Sequence, residues 1–212
     1  MIRSLRVLVC LPLLLVSCRA QKISLPKDVQ VISREQWGAK APVLSMKQHV
    51  PDRITIHHTA TLQHPDKPTA DKLRGLQVFS QSKSTLGSGR VKEIWADIPY
   101  HFYIAANGEI AEGRELRYVG DSNTPYDPTG HALIVLEGNF QHEEVTSAQL
   151  GSLRKLISSL SKKFHIGPDR MSGHKDNADT LCPGDKLYAL IPELKLELVT
   201  GQQEHNPPHF SP

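Results

Sequence analysis

Hydrophobic positions along the chain change period from one segment to the next, and each period predicts an element. Residues 53–57 (RITIH) alternate polar and apolar, the mark of a half-buried strand. Leu73, Leu76 and Phe79 recur at helical spacing behind Pro68-Thr69, which predicts a helix over residues 69–83. Residues 100–105 and 109–111 flank Asn107-Gly108 and predict a hairpin closed by a type I′ turn, with positive φ at both residues. Residues 132–136 (ALIVL) form an unbroken apolar run, as in a central strand buried on both faces. The strongest helical pattern covers residues 146–163. Thr146 and Gln149 have the spacing of a capping box, and Leu150, Leu153, Leu156, Ile157, Leu160 and Phe164 share one face. Gly167-Pro168 marks its end, and a short helix carrying Leu187 and Leu190 is expected after Pro183-Gly184. Strands interleaved with helices predict an α/β fold: a single domain, residues 30–198, with a central mixed β-sheet flanked by helices.

The first segment has a different pattern. Arg3 and Arg6 precede an apolar stretch of residues 7–16, shorter than the roughly 20 residues that cross a bilayer. This is a secretory signal peptide in form, residues 1–17, to be set aside from the fold. It ends in Leu15-Val16-Ser17-Cys18, which resembles a bacterial lipobox, so Cys18 is expected to be lipidated after cleavage. Residues 18–29 then form a lipid-anchored tether, and the Pro-rich residues 199–212 a disordered tail.

Composition narrows the function classes. With 39% hydrophobic and 22% charged residues the chain is globular. A formal net charge of +3, without any block of like charges, gives no footprint for nucleic acid. The three cysteines divide by position: Cys10 is discarded with the signal, Cys18 carries the lipid, and Cys182 is left as the one thiol of the mature chain, so no internal disulfide can form.

Cys182 and the histidines raise the question of a metal. His174 and Cys182 bound a Gly- and Pro-flanked loop that can fold both groups onto one ion. His57, at the end of the first strand and on the face of Thr55, is the natural third ligand. Spacing alone leaves the alternatives open, a buried structural cysteine and ordinary hydrogen-bonded histidines.

Five segments, in order, carry a resemblance. They are residues 31–39 (VISREQWGA), 54–60 (ITIHHTA), 95–114 (opening WADIPYHF, with Asn107-Gly108 and closing EGR), 132–140 (ALIVLEGNF) and 173–191 (GHKD, then TLCPG and LYALI). Together they resemble the zinc N-acetylmuramoyl-L-alanine amidases that share a fold with peptidoglycan recognition proteins. The resemblance spans about residues 31–195.

It implies Zn2+ held by His57, His174 and Cys182, with Tyr100 as the catalytic tyrosine and Thr180 as a hydrogen-bonding partner near the metal-bound water. The implied reaction is hydrolysis of the amide between N-acetylmuramic acid and L-alanine in peptidoglycan or muropeptides. A noncatalytic peptidoglycan-binding lipoprotein is the alternative. His101, next to Tyr100 on a strand, is expected to face the other way and be structural, whereas His58 is a candidate for the substrate groove. Some bacterial relatives place a carboxylate on the central strand, where this chain has Val135, and Glu137 is kept as a reserve candidate. Residues 83–92 and 115–130 depart from the family pattern and are expected to border the groove. The expected partners are the cell-wall substrate and, through Cys18, a membrane; nucleic acid is not expected, and the protein is expected to be a monomer at the cell envelope. With two membranes, Arg19 after the lipidated cysteine favours the periplasmic face of the outer one.

Overall fold

The structure, a computed structural model, describes residues 27–87 and 89–205, with side chains as far as residue 200. The expected signal peptide, Cys18 and residues 206–212 lie outside the described residues. Thirteen elements follow along the chain: β1 (Val31–Ile32), α1 (Arg34–Trp37), β2 (Arg53–His58), α2 (Thr69–Ser80), β3 (Ser84–Thr85), β4 (Val91–Lys92), β5 (Phe102–Ile104), β6 (Ile110–Glu112), β7 (His131–Leu136), α3 (Ser147–Phe164), β8 (Met171–Gly173), α4 (Asp185–Tyr188) and α5 (Ile191–His205). Among the described residues, no helix is long and apolar enough to cross a membrane.

Six strands form one mixed sheet in the order β1-β6-β5-β7-β2-β8. Only β5 and β6 pair antiparallel; the other neighbours run parallel. The continuous apolar run of β7 sits inside the sheet and is buried throughout. Its alternate residues serve two layers. Ala132, Ile134 and Leu136 join Leu153, Leu156, Ile157 and Leu160 of α3 in the larger core, while Val135 joins Trp37 and Leu73 of α1 and α2 in the smaller one. The period-2 pattern of β2 has the same consequence: Ile54 and Ile56 face the larger core and His57 faces the other side.

Caps set both ends of α3. Thr146 Oγ1 accepts the Gln149 N–H, and the Gln149 side chain accepts the Thr146 N–H, completing the expected capping box of α3. That helix stops at His165, whose left-handed φ of 55° reverses the chain, two residues before Gly167-Pro168. The hairpin turn also differs from expectation. Gly108 alone has positive φ, at 86°, and donates its N–H to the Ala105 carbonyl. The turn therefore needs a single left-handed residue, as in longer hairpin loops, and not the pair that type I′ demands.

The helix predicted over residues 69–83 ends at Ser80, and the departure at residues 83–92 is a small hairpin, β3 paired with β4. Lys92 ties the two together. Its buried ammonium donates to the carbonyls of Ser80, Ser82 and Glu93 and lies over the rings of Phe79 and Trp95. At Ser80, the last residue of α2, it joins the Trp95 N–H on the carbonyl and places a cation at the negative end of the helix. At the other extreme, α5 runs past the domain limit expected at residue 198, to His205.

Candidate metal centre

The parallel register of β2 and β8 builds the site. Ile56 pairs with Gly173, so the residues that follow, His57 and His174, emerge side by side at the carboxyl ends of adjacent strands. Their ring centroids are 4.5 Å apart. From His174 the chain forms a 3-10 turn, Asp176 caps it by accepting the Gly173 N–H, and Lys175 N–H donates to the Cys182 carbonyl, closing a loop that returns Cys182 to the start. The Cys182 Sγ lies 3.6 Å from His57 Nδ1. One donor atom from each of His57, His174 and Cys182 falls within 4.8 Å of the other two.

Electrostatics suit this trio to a cation. Burial holds His57 well below the ordinary histidine range, aided by His174 nearby, and burial brings His174 down to about 4. Both rings are therefore neutral at pH 7, the form that ligates metals. Burial pushes the Cys182 thiol up to about 12, partly offset by the His58 N–H, which donates to Sγ at 3.4 Å. A thiolate here lacks a counter-charge that a cation would supply. His57 Nε2 is buried without a hydrogen-bond partner among the described residues. Two neutral imidazoles and one thiol form a donor set that fits Zn2+ with one position left for a fourth ligand.

Tyr100 reaches the same place from the segment before β5. Its ring centroid is 5.2 Å from that of His57. Burial, and then the nearby Cys182, raise its hydroxyl well above the usual tyrosine value, so it remains a hydrogen-bond donor at neutral pH. Thr180 stands one step back: its Oγ1 accepts the Cys182 N–H at 3.2 Å and so shapes the cysteine turn.

Three other candidates take different places. His58 is buried, its Nδ1 accepts the Phe140 N–H, and its ring lies 6.2 Å from that of Phe140. Glu137 is committed elsewhere: its carboxylate accepts from Lys72 Nζ at 2.7 Å and from the N–H groups of His64 and Ala106. His101 is structural, as its place beside Tyr100 suggests. Nδ1 accepts the Leu133 N–H, Nε2 meets the Tyr118 carbonyl, and the residue is fully buried.

Residues 115–130 contribute side chains that no motif marks. Thr124 Oγ1 lies 2.6 Å from His174 Nε2, and the Tyr126 ring lies 5.1 Å from that of His174, tilted by 49°, with its hydroxyl buried. The only hint of them in the sequence is that this segment departs from its relatives' pattern.

This strand-end site on a mixed sheet defines a class of protein. The sequence profile described as N-acetylmuramoyl-L-alanine amidase matches residues 47–185, and the chain belongs to that family. It is 31% identical to peptidoglycan-recognition protein SD of Drosophila simulans over 174 residues, 80% of this chain and 88% of the relative. Among solved structures it is similar to peptidoglycan recognition protein-LE in complex with tracheal cytotoxin, a monomeric diaminopimelic acid-type peptidoglycan. There the TM-score is 0.65 at 28% identity, over 77% of this chain and 92% of that one. It is also similar to the N-acetylmuramoyl-L-alanine amidase LysC of Clostridium intestinale, with TM-score 0.56 at 29% identity, over 76% of this chain and 93% of that one.

Proposed function

We propose that this protein is a zinc-dependent N-acetylmuramoyl-L-alanine amidase that cuts peptidoglycan or muropeptides at the cell envelope, held there by a lipid on Cys18. The observation that carries the reading is the convergence of His57, His174 and Cys182 with the Tyr100 ring beside them. A bound Zn2+ would supply Lewis acidity toward the scissile carbonyl and lower the pKa of a water to roughly 7. The chain's own residues supply the rest. His57 and His174, kept neutral by burial, offer lone pairs. The His58 N–H supports charge on Cys182 Sγ. The Tyr100 hydroxyl, kept protonated, can donate to the carbonyl oxygen as negative charge develops there. Thr180 contributes by holding the Cys182 backbone.

A second reading, a noncatalytic peptidoglycan binder, is favoured by the similarity to recognition proteins. Incubating the full chain, purified in detergent, with peptidoglycan and with isolated muropeptides separates the two. Mass spectrometry should find stem peptides with a free L-alanine amine; these should vanish on chelation and return with zinc. Binding without cleavage by zinc-loaded protein would establish the second reading. The anchor has its own test: Cys18→Ser should move the protein from the membrane to the soluble fraction, and unchanged membrane association would overturn lipidation.

A further inference from the structure

His174 is gripped from outside the donor cluster. Thr124 Oγ1 sits 2.6 Å from its Nε2, and Ser122 Oγ lies 3.4 Å from the same nitrogen. The two hydroxyls are 2.7 Å apart, and Ser122 Oγ also accepts the Thr124 N–H. The Tyr126 ring packs beside the imidazole, its centroid 5.1 Å away and its plane tilted by 49°. A single ring nitrogen thus faces two hydroxyl oxygens. One N–H shared between two acceptors satisfies that arrangement, whereas a single in-plane lone pair cannot accept from both.

We propose that Thr124 is a positioning residue for His174: its Oγ1 accepts the Nε2–H and fixes that tautomer, so that Nδ1 is the nitrogen whose lone pair would ligate a metal. The 2.7 Å contact between the Thr124 and Ser122 hydroxyls continues the chain from imidazole to threonine to serine. A partner on the far nitrogen of a ligating histidine orients the ring and raises its basicity, and losing such a partner typically costs about 10–100-fold in metal affinity. The inference rests on the zinc reading above and deepens it by assigning the orienting role to the segment of residues 115–130.

The test has two arms. In the first, the metal-free full chain is examined by 15N NMR of the imidazole nitrogens, with His174→Gln used for assignment. His174 is expected as the Nε2–H tautomer; an Nδ1–H tautomer overturns the proposal whether or not zinc binds. In the second, zinc affinity is measured by chelator competition. Thr124→Val should weaken it about 10–100-fold and Thr124→Ser should restore most of it, with metal-free melting temperatures close to wild type. Equal zinc affinity in wild type and Thr124→Val overturns the proposal. Should Thr124→Val fail to fold, Ser122→Ala takes its place with a smaller expected loss, and no loss counts against the proposal. A wild-type chain that takes up no zinc refutes the metal reading itself, and the tautomer still decides the hydrogen bond.

Discussion

His57 Nδ1 and Cys182 Sγ lie 3.6 Å apart although 125 residues separate them in the chain. Nothing local brings them together. The imidazole is fixed by the end of β2, and the thiol by a loop closed through the Lys175–Cys182 backbone bond. Both groups are desolvated there without an opposite charge between them, so the metal-free site should be less stable than the filled one.

Metal removal should show this directly. Zinc binding to the folded chain alone adds about 4 kcal/mol at a free concentration 1,000 times Kd. Chelation should therefore lower the melting temperature, and Cys182→Ala should abolish the zinc-dependent part of the shift. A melting temperature indifferent to zinc in the wild-type protein would count against the site.

Tyr100→Phe should separate catalysis from binding. The ring still fits beside His57, so zinc affinity should stay near wild type. Loss of one hydroxyl donor to a developing oxyanion should cut kcat by about 10²–10³, with KM little changed. A full-rate Tyr100→Phe enzyme would remove the hydroxyl from the chemistry.

The Lys72–Glu137 pair is a matter of stability. Both side chains are buried and the contact is 2.7 Å. Lys72→Met leaves the carboxylate without its cation, which should cost about 3–5 kcal/mol in urea unfolding. Zinc affinity of the folded protein should be preserved, because Glu137 points at the loops carrying His64 and Ala106 and not at the donor cluster.

Gly113 should be intolerant of any side chain. A Cβ there would strike the Tyr100 carbonyl, which accepts the Arg114 N–H one residue on. Gly113→Ala should displace the Tyr100 backbone and lower kcat more than zinc affinity, measured on the same preparation.

Acid should destabilise the fold through its buried histidines. His101 is brought down to about 3 and His131 to about 4, burial being the main cause for both. The unfolded chain binds these protons near pH 6.5 and the folded chain does not, so the stability they give is complete above pH 6.5. It falls as pH drops toward 4 and then 3, at up to about 1.4 kcal/mol per pH unit for each group. Melting in chelator across pH 4–7 should show this slope, to which the buried His57, His58 and His174 add, and His101→Gln should lessen it.

The fold is largely legible in the sequence where the signal is local. The capping box at Thr146, the alternation of residues 53–57 and the apolar run of β7 each predict an element that the structure contains. The errors fall where a non-local partner decides. The helix expected to reach residue 83 stops at Ser80, where Lys92 of the following hairpin donates to the Ser80 and Ser82 carbonyls. The end of α3, by contrast, is local: His165 takes the left-handed conformation, and the helix stops one residue past the expected limit.

The site divides the same way. The family resemblance singles out His57, His174, Cys182 and Tyr100, whose side chains carry the ligating and hydrogen-bonding chemistry; residue types and spacing alone leave ordinary histidines and a buried cysteine as alternatives. Which of the eleven histidines meet is a matter of register: Ile56 opposite Gly173 sets His57 beside His174, while His58 faces Phe140 and His101, before β5, bonds to the backbone of Leu133 and Tyr118. Parallel pairing joins strands more than a hundred residues apart, and no local pattern encodes it. The same holds for Thr124, whose contact with His174 spans 50 residues from a segment without periodicity. The sequence by itself determines the elements and the donor atoms; the tertiary structure alone decides their meeting, because it sets the distances on which coordination and hydrogen bonding depend.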